Sequence, residues 1–273
     1  MFDSLKKIKT MKRIAFLFVI LILAQSCKVD ISPRQVFTDE NSGQVIDETY
    51  DLKFNSISVN TSIDAEVIKS DVQKVVVTAP EKLQEHIRVE VNNGKLNVGM
   101  EFNGRISLRV QSIKVKIYTN HFSELSTSSS GNIVLRDKFT QESVSIKANS
   151  SGNISGNIEA NDLNISTSSS GDFKGEIWAL RANLSASSSG DIIISGKVKS
   201  VVAKSSSSGD IKAKNLQAEI ADLQASSSGD IAISVSDKLD ARASSSGDIV
   251  VYKKGELSSI SKSESSGGSV KVL

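Results

Sequence analysis

The sequence predicts an all-β solenoid, a single-stranded parallel β-helix with about 19–20 residues per coil. Three observations predict it. The first is a repeat: Ser-Ser-Ser-Gly-Asp-Ile and its near copies place glycines at Gly131, Gly152, Gly171, Gly190, Gly209, Gly229, Gly247 and Gly267, at intervals of 21, 19, 19, 19, 20, 18 and 20 residues. That period is too short for helix-pair repeats and suits a solenoid in which one lap of chain is one structural unit.

The second observation is the spacing of apolar columns when the copies are aligned on the glycine. Six residues before it stand Leu125, Ile146, Ile165, Leu184, Ala203, Leu223 and Ala241, and two residues after it Ile133, Ile154, Phe173, Ile192, Ile211, Ile231 and Ile249. Four before it, the residues are Thr127, Ala148, Thr167, Ala186, Ser205, Ala225 and Ala243. Columns two apart follow the strand period and not the helix period. The third is length, because a lap of 19 residues holds about three short strands with tight bends and leaves little for loops.

Taken in order, residues 1–27 read as a bacterial lipoprotein signal. Lys6, Lys7, Lys9, Lys12 and Arg13 form a basic start, Ile14 to Leu23 an apolar run, and Ala24-Gln25-Ser26-Cys27 a small-residue ending. Cys27, the only cysteine, is then the lipidated first residue of the mature chain and its link to the membrane; an ordinary secretory signal is the plainer alternative. With one cysteine no disulfide forms within the chain. Residues 28–47, with Pro33, Gly43 and no sustained period, read as a tether.

The domain proper is expected over 48–273 as one β-helix. Irregular coils fill 48–120, where Leu52, Phe54, Ile57 and Val59 begin an alternation that Asn92-Asn93-Gly94 interrupts with a turn and Glu81 to His86 with a short helical stretch. Regular coils fill 121–273. Their length variation is expected at one corner, where the next apolar anchor drifts through Ile158, Ile177, Val198 and Leu216. In the last copy, alignment on Gly267 puts Ser269 in the isoleucine column. A solenoid has open ends, so either this degenerate copy is itself a cap or another subunit covers it, which makes a homo-oligomer one expectation.

Within the repeat, the serines suit a crowded bend, where their hydroxyls can bond nearby backbone. The glycine supplies either positive φ or close backbone approach. Asp172, Asp191, Asp210, Asp230 and Asp248 follow five of the glycines and would repel one another unless solvated or bridged by cations, so calcium is an option there. Asn132 and Asn153 hold the same column, which favours turn capping over an obligatory metal ladder. No cofactor is otherwise implied.

Composition agrees with a long narrow core: the chain is 38% hydrophobic and only 5% aromatic. The net charge of +2 includes the basic signal, leaving a mature chain near neutral or slightly acidic, and nothing points to nucleic acid.

The repeated Ser-Ser-Ser-Gly-Asp-Ile, Leu52-Lys53-Phe54 followed by Ile57-Ser58-Val59, and the Gly94-Lys95-Leu96 hairpin together resemble the head GIN domain family of putative autotransporter adhesins. The resemblance covers roughly 47–273. Such proteins are common as exported proteins and lipoproteins of Bacteroidetes, so it implies a β-helical fold and a place in the cell envelope. It brings no catalytic residues.

The function expected is a non-enzymatic envelope lipoprotein, lipid-anchored at the outer membrane on a side left open, presenting a β-helical surface to a glycan, a neighbouring cell or an envelope protein. The alternatives are a polysaccharide-active β-helix enzyme and a structural component without a ligand. An enzyme needs paired carboxylates or a metal-assisted base in a walled cleft, and the coils are too short for walls. His86 and His121 are the only histidines, in no triad or metal spacing. Trp178, the only tryptophan, is the best candidate for a contact residue, with core filling as its rival reading.

Overall fold

A strand whose inward residues recur at the same place in every lap can bury them by stacking on its own next copy. The computed structural model, which describes residues 35–38, 42–102, 106–109 and 113–273, has this arrangement. The expected signal, Cys27 included, and residues 28–34 of the tether lie outside the described residues. Contacts divide the chain into two units. One is 1–36 with 103–107, represented among the described residues by strand positions 35–36 of β1 (Gln35–Thr38) and 106–107 of β8 (Ile106–Arg109). The other, 37–102 with 108–273, carries everything that follows.

The regular coils run through β10 (Glu124–Thr127), β11 (Asn132–Leu135), β12 (Phe139–Ala148), β13 (Asn153–Ser155), β14 (Ile158–Thr167) and β15 (Asp172–Ala186). They continue through β16 (Ile192–Ser205), β17 (Ile211–Ala225), β18 (Ile231–Ala243), β19 (Asp248–Lys253), β20 (Ser259–Glu264) and β21 (Ser269–Val272). Each pairs in parallel with its counterpart in the next coil. Ile133, Ile154, Phe173, Ile192, Ile211, Ile231 and Ile249 stand in one register, and all are buried. The column six residues before the glycine stacks and is buried in the same way.

The bend before each isoleucine is a four-residue turn. In Ser187-Ser188-Ser189-Gly190 the Gly190 N–H donates to the Ser187 carbonyl at 2.9 Å. The two central serines have φ of 50° and 63°. Left-handed values at both central positions define a type I′ turn, which usually takes Asn-Gly. The glycine therefore does not supply the positive φ; the serines adopt it. Glycine is needed for close approach, since a Cβ on Gly209 would lie 2.5 Å from the Ser187 nitrogen of the coil before.

That rule explains a coil without a glycine. In β3 (Ser56–Val59) and β4 (Asp64–Ile68), Thr61 and Ser62 hold φ of 57° and 55°. The glycine position is taken by Ile63, which is fully buried. No coil turn lies beneath it, so its side chain enters the core.

Beyond this first coil the stretch expected as irregular coils departs from the expectation. The β3–β4 coil lies between β10–β11 on one side and β7 (Lys95–Met100) with β9 (Lys114–Tyr118) on the other, all parallel. Outside those, pairing turns antiparallel. β6 (Ile87–Asn92) forms a hairpin with β7 through the expected turn at Asn93 and Gly94. β5 (Lys74–Pro80) pairs with β9 and with β2 (Val45–Tyr50), so the last residues expected as tether are strand. The expected helical stretch is one turn, α1 (Glu81–Gln84), which buries Leu83. β2, β5 and β6, with α1, thus close this end of the core rather than winding as further coils.

Two details of the repeat are also corrected. Asp248 pairs with Ser269 and Ile249 with Val270, so Gly268, not Gly267, is the last repeat glycine, and Val270 fills the isoleucine column. Val198 pairs with Ala179, while Gly196 stands opposite Ile177, so that anchor does not drift. Register slips occur at two corners, between Ala213 and Gln217 and between Ala218 and Ile220, so length varies at both.

At the C-terminal end of the stack, Ile260, Lys262 and Glu264 occupy the columns of Leu239, Ala241 and Ala243. Lys262 Nζ donates to the Val270 carbonyl at 3.0 Å, and Glu264 Oε1 accepts the Val270 N–H at 2.7 Å. The terminal coil places charged side chains across the core opening, a recognised protection for sheet edges.

Candidate binding face

Trp178 faces outward because Ile177 is inward and strand side chains alternate; it is 41% exposed. It does not fill the core, the rival reading of this residue. In register along the stack the same outward column reads Thr140, Glu159, Trp178, Lys197 and Gln217, placing the indole in the middle of five coils. The adjacent inward column holds Ala160, Ala179 and Ala218 with Val198. This outward column, with Ala160, Ala179 and Val198 beside it, lines an open groove of about 640 Å³.

The groove is polar apart from its centre. Leu180, 49% exposed, adds a second apolar surface beside Trp178. Lys138 Nζ and Lys197 Nζ lie 5.7 and 5.9 Å from the indole centroid, within cation–π range. Lys138 also pairs with Glu159 at 2.7 Å, and Asn161 donates to Glu142 at 2.9 Å. Arg181 grips Asp162 through two hydrogen bonds of 2.5 and 2.6 Å at the neighbouring corner, and holds that carboxyl below the usual aspartate range. At one end Gln141 meets His121 Nδ1 at 2.7 Å and donates to the Asn120 carbonyl.

The aspartate column forms a separate feature with a structural task. The backbone N–H of Asp191 donates to Asp172 Oδ1 at 2.9 Å, and Asp210, Asp230 and Asp248 each repeat this on the aspartate one coil earlier. Asn153 extends the line to Asn132, and Ser269 closes it on Asp248. Lys212 sits against both Asp191 and Asp210, offsetting their repulsion. The carboxylates thus cap the backbone of the next coil. Among the described residues, no group of three or more His, Cys, Asp or Glu could hold a metal ion.

Neither histidine is placed as a base. His86 packs against Phe37 and Phe102, with centroids 5.9 and 4.9 Å away, and His121 is an exposed partner of Gln141. Sequence reasoning picked Trp178 but missed its neighbours. The signal was there: counting 19 residues either way from Trp178 reaches Glu159 and Lys197.

The comparisons agree with this architecture. A family model described as putative auto-transporter adhesin, head GIN domain, matches residues 53–176 and 155–255. The crystal structure of a putative adhesin from Parabacteroides merdae superposes with a TM-score of 0.74 at 18% identity, covering 88% of this chain and 99% of that one. Two proteins of Parabacteroides distasonis, one called a putative lipid binding protein and one a putative adhesin, also give 0.74, at 25% and 20% identity, each over 88% of this chain and 100% of theirs. No curated protein sequence matches the chain.

Proposed function

Because the chain belongs to the head GIN domain family of putative auto-transporter adhesins, a family of the cell envelope or surface, we propose that it is a non-enzymatic binding protein whose β-helix displays the Trp178 face. A lipid on Cys27 holds it at the outer membrane. The observation that carries the reading is the exposed tryptophan centred in a polar groove on a rigid sheet. Binding sites combine an aromatic surface with a few placed polar groups, and no role in the core accounts for this residue. Of the groove's glutamates, Glu159 is engaged by Lys138 and Glu142 by Asn161.

Deletion of the gene should reduce adhesion of cells to at least one coating of a broad glycan and envelope-protein panel, with recovery on complementation. Adhesion equal to the parent's on every coating would leave a structural component without a ligand. Protease shaving of intact cells would place the domain on the outer or the periplasmic side. Replacement of Cys27 by Ala should move the protein from the membrane to the soluble fraction.

A further inference from the structure

We infer that the Trp178 groove takes an uncharged, extended polysaccharide chain lying along the solenoid axis; this rests on the binding-face reading above. Coils stack at the ordinary strand spacing of about 4.8 Å, so the column from Thr140 to Gln217 extends about 19 Å. An extended β-1,4-linked pyranose chain advances per ring by a distance close to one coil. Successive rings therefore meet successive rungs, and about four are accommodated.

The indole is at the centre of that length, where the apolar C–H face of a sugar stacks on its exposed surface. On either side the rungs offer a hydroxyl at Thr140, a carboxylate at Glu159, an ammonium at Lys197 and an amide at Gln217, suited to ring hydroxyls. Charge selects against ionic chains: Glu142, Glu159 and Glu219 are balanced by Lys138, Lys197 and Lys199, so neither a polyanion nor a polycation is drawn in. An extended peptide is disfavoured because the backbone under the groove is already paired within the sheet and offers no strand edge. The face is held by continuous ladders, so little ordering cost remains on binding.

Trp178 is the only tryptophan, so its emission reports this groove alone. The full chain should be titrated with neutral β-1,4-linked gluco-, xylo-, manno- and chito-oligosaccharides from dimer to hexamer. For at least one series, emission should change saturably, with affinity rising to the tetramer and then levelling. By calorimetry, Trp178→Ala should weaken that binding about 10–100-fold with an unchanged melting temperature, and Gln217→Ala a few-fold. Silence of emission and calorimetry for every neutral series, or a response to polyuronates or peptides alone, overturns the inference. Binding that survives Trp178→Ala overturns the groove and the Trp178 face together, leaving only the reading of the chain as a binding protein, which fails if the deletion strain adheres as its parent does.

Discussion

Gly209 contributes nothing to its turn by flexibility; it matters because its missing Cβ lets two coils touch. Gly209→Ala forces a carbon to within 2.5 Å of a backbone nitrogen and should cost about 1–3 kcal/mol in thermal or urea unfolding. Ser208→Gly, at a φ of 62°, should be neutral or stabilising in the same assay. The aspartates have an equally local role, and because Asp172, Asp191, Asp210 and Asp230 each already accept an N–H from the next coil and Asp248 the Ser269 hydroxyl, millimolar calcium should leave the melting temperature unchanged. A calcium-dependent rise that disappears in Asp191→Asn/Asp210→Asn would show a cation ladder instead. Glu124 adds a pH-sensitive contact. Burial pushes its carboxyl up, but hydrogen bonds from Lys147 and Lys95 outweigh this and hold it below the usual range. A depressed folded value stabilises fully above the unfolded value, about 4.3, and the gain is lost as pH falls through the lower folded value. Glu124→Gln should therefore be less stable than the parent at neutral pH, by up to about 1 kcal/mol, and the gap should close on acidification below about pH 4.3. A gap that is constant with pH would remove the ion pairs from the account.

At the level of elements, a stack of strands has two ends, and this chain closes them differently. One end is covered by antiparallel β2, β5 and β6 with α1. The other carries Lys262 and Glu264 where preceding coils carry Ala241 and Ala243. Restoring the repeat with Lys262→Ala/Glu264→Ala uncovers apolar core beside two edge strands, and should shift size-exclusion elution toward larger species as concentration rises, while the parent does not shift. Identical elution at all concentrations would mean that the charged cap does not protect the end. The last copy therefore departs from the repeat for a physical reason that alignment alone hides: its lysine and glutamate read as surface residues until their register with the alanine columns is known.

For the whole molecule, each coil makes most of its contacts with its neighbours, so stability is close to a sum of coil and interface contributions. Ile192→Ala, in mid-stack, should cost about 2–5 kcal/mol and move the Trp178 emission and circular dichroism transitions together. Ile249→Ala, near the end, should start the loss seen by circular dichroism while Trp178 emission still reports folded structure. Coincident transitions in both variants would show one cooperative unit. The solenoid was readable because every lap repeats the same inward pattern: one isoleucine per coil implies the next, and the internal copies act as their own alignment. The N-terminal closure was not, because strand alternation is identical for parallel and antiparallel pairing, and Val45–Tyr50 finds Lys74–Pro80 across a stretch with no repeat. Trp178 was visible as the one tryptophan, but not its exposure or its groove. Local periodicity thus determined the coil, its core columns and the place of its turn. Only the tertiary structure decided which residues face each other across coils, which way the indole points, and how the two ends are sealed, because those depend on register between segments distant in the chain and not on any pattern within one of them.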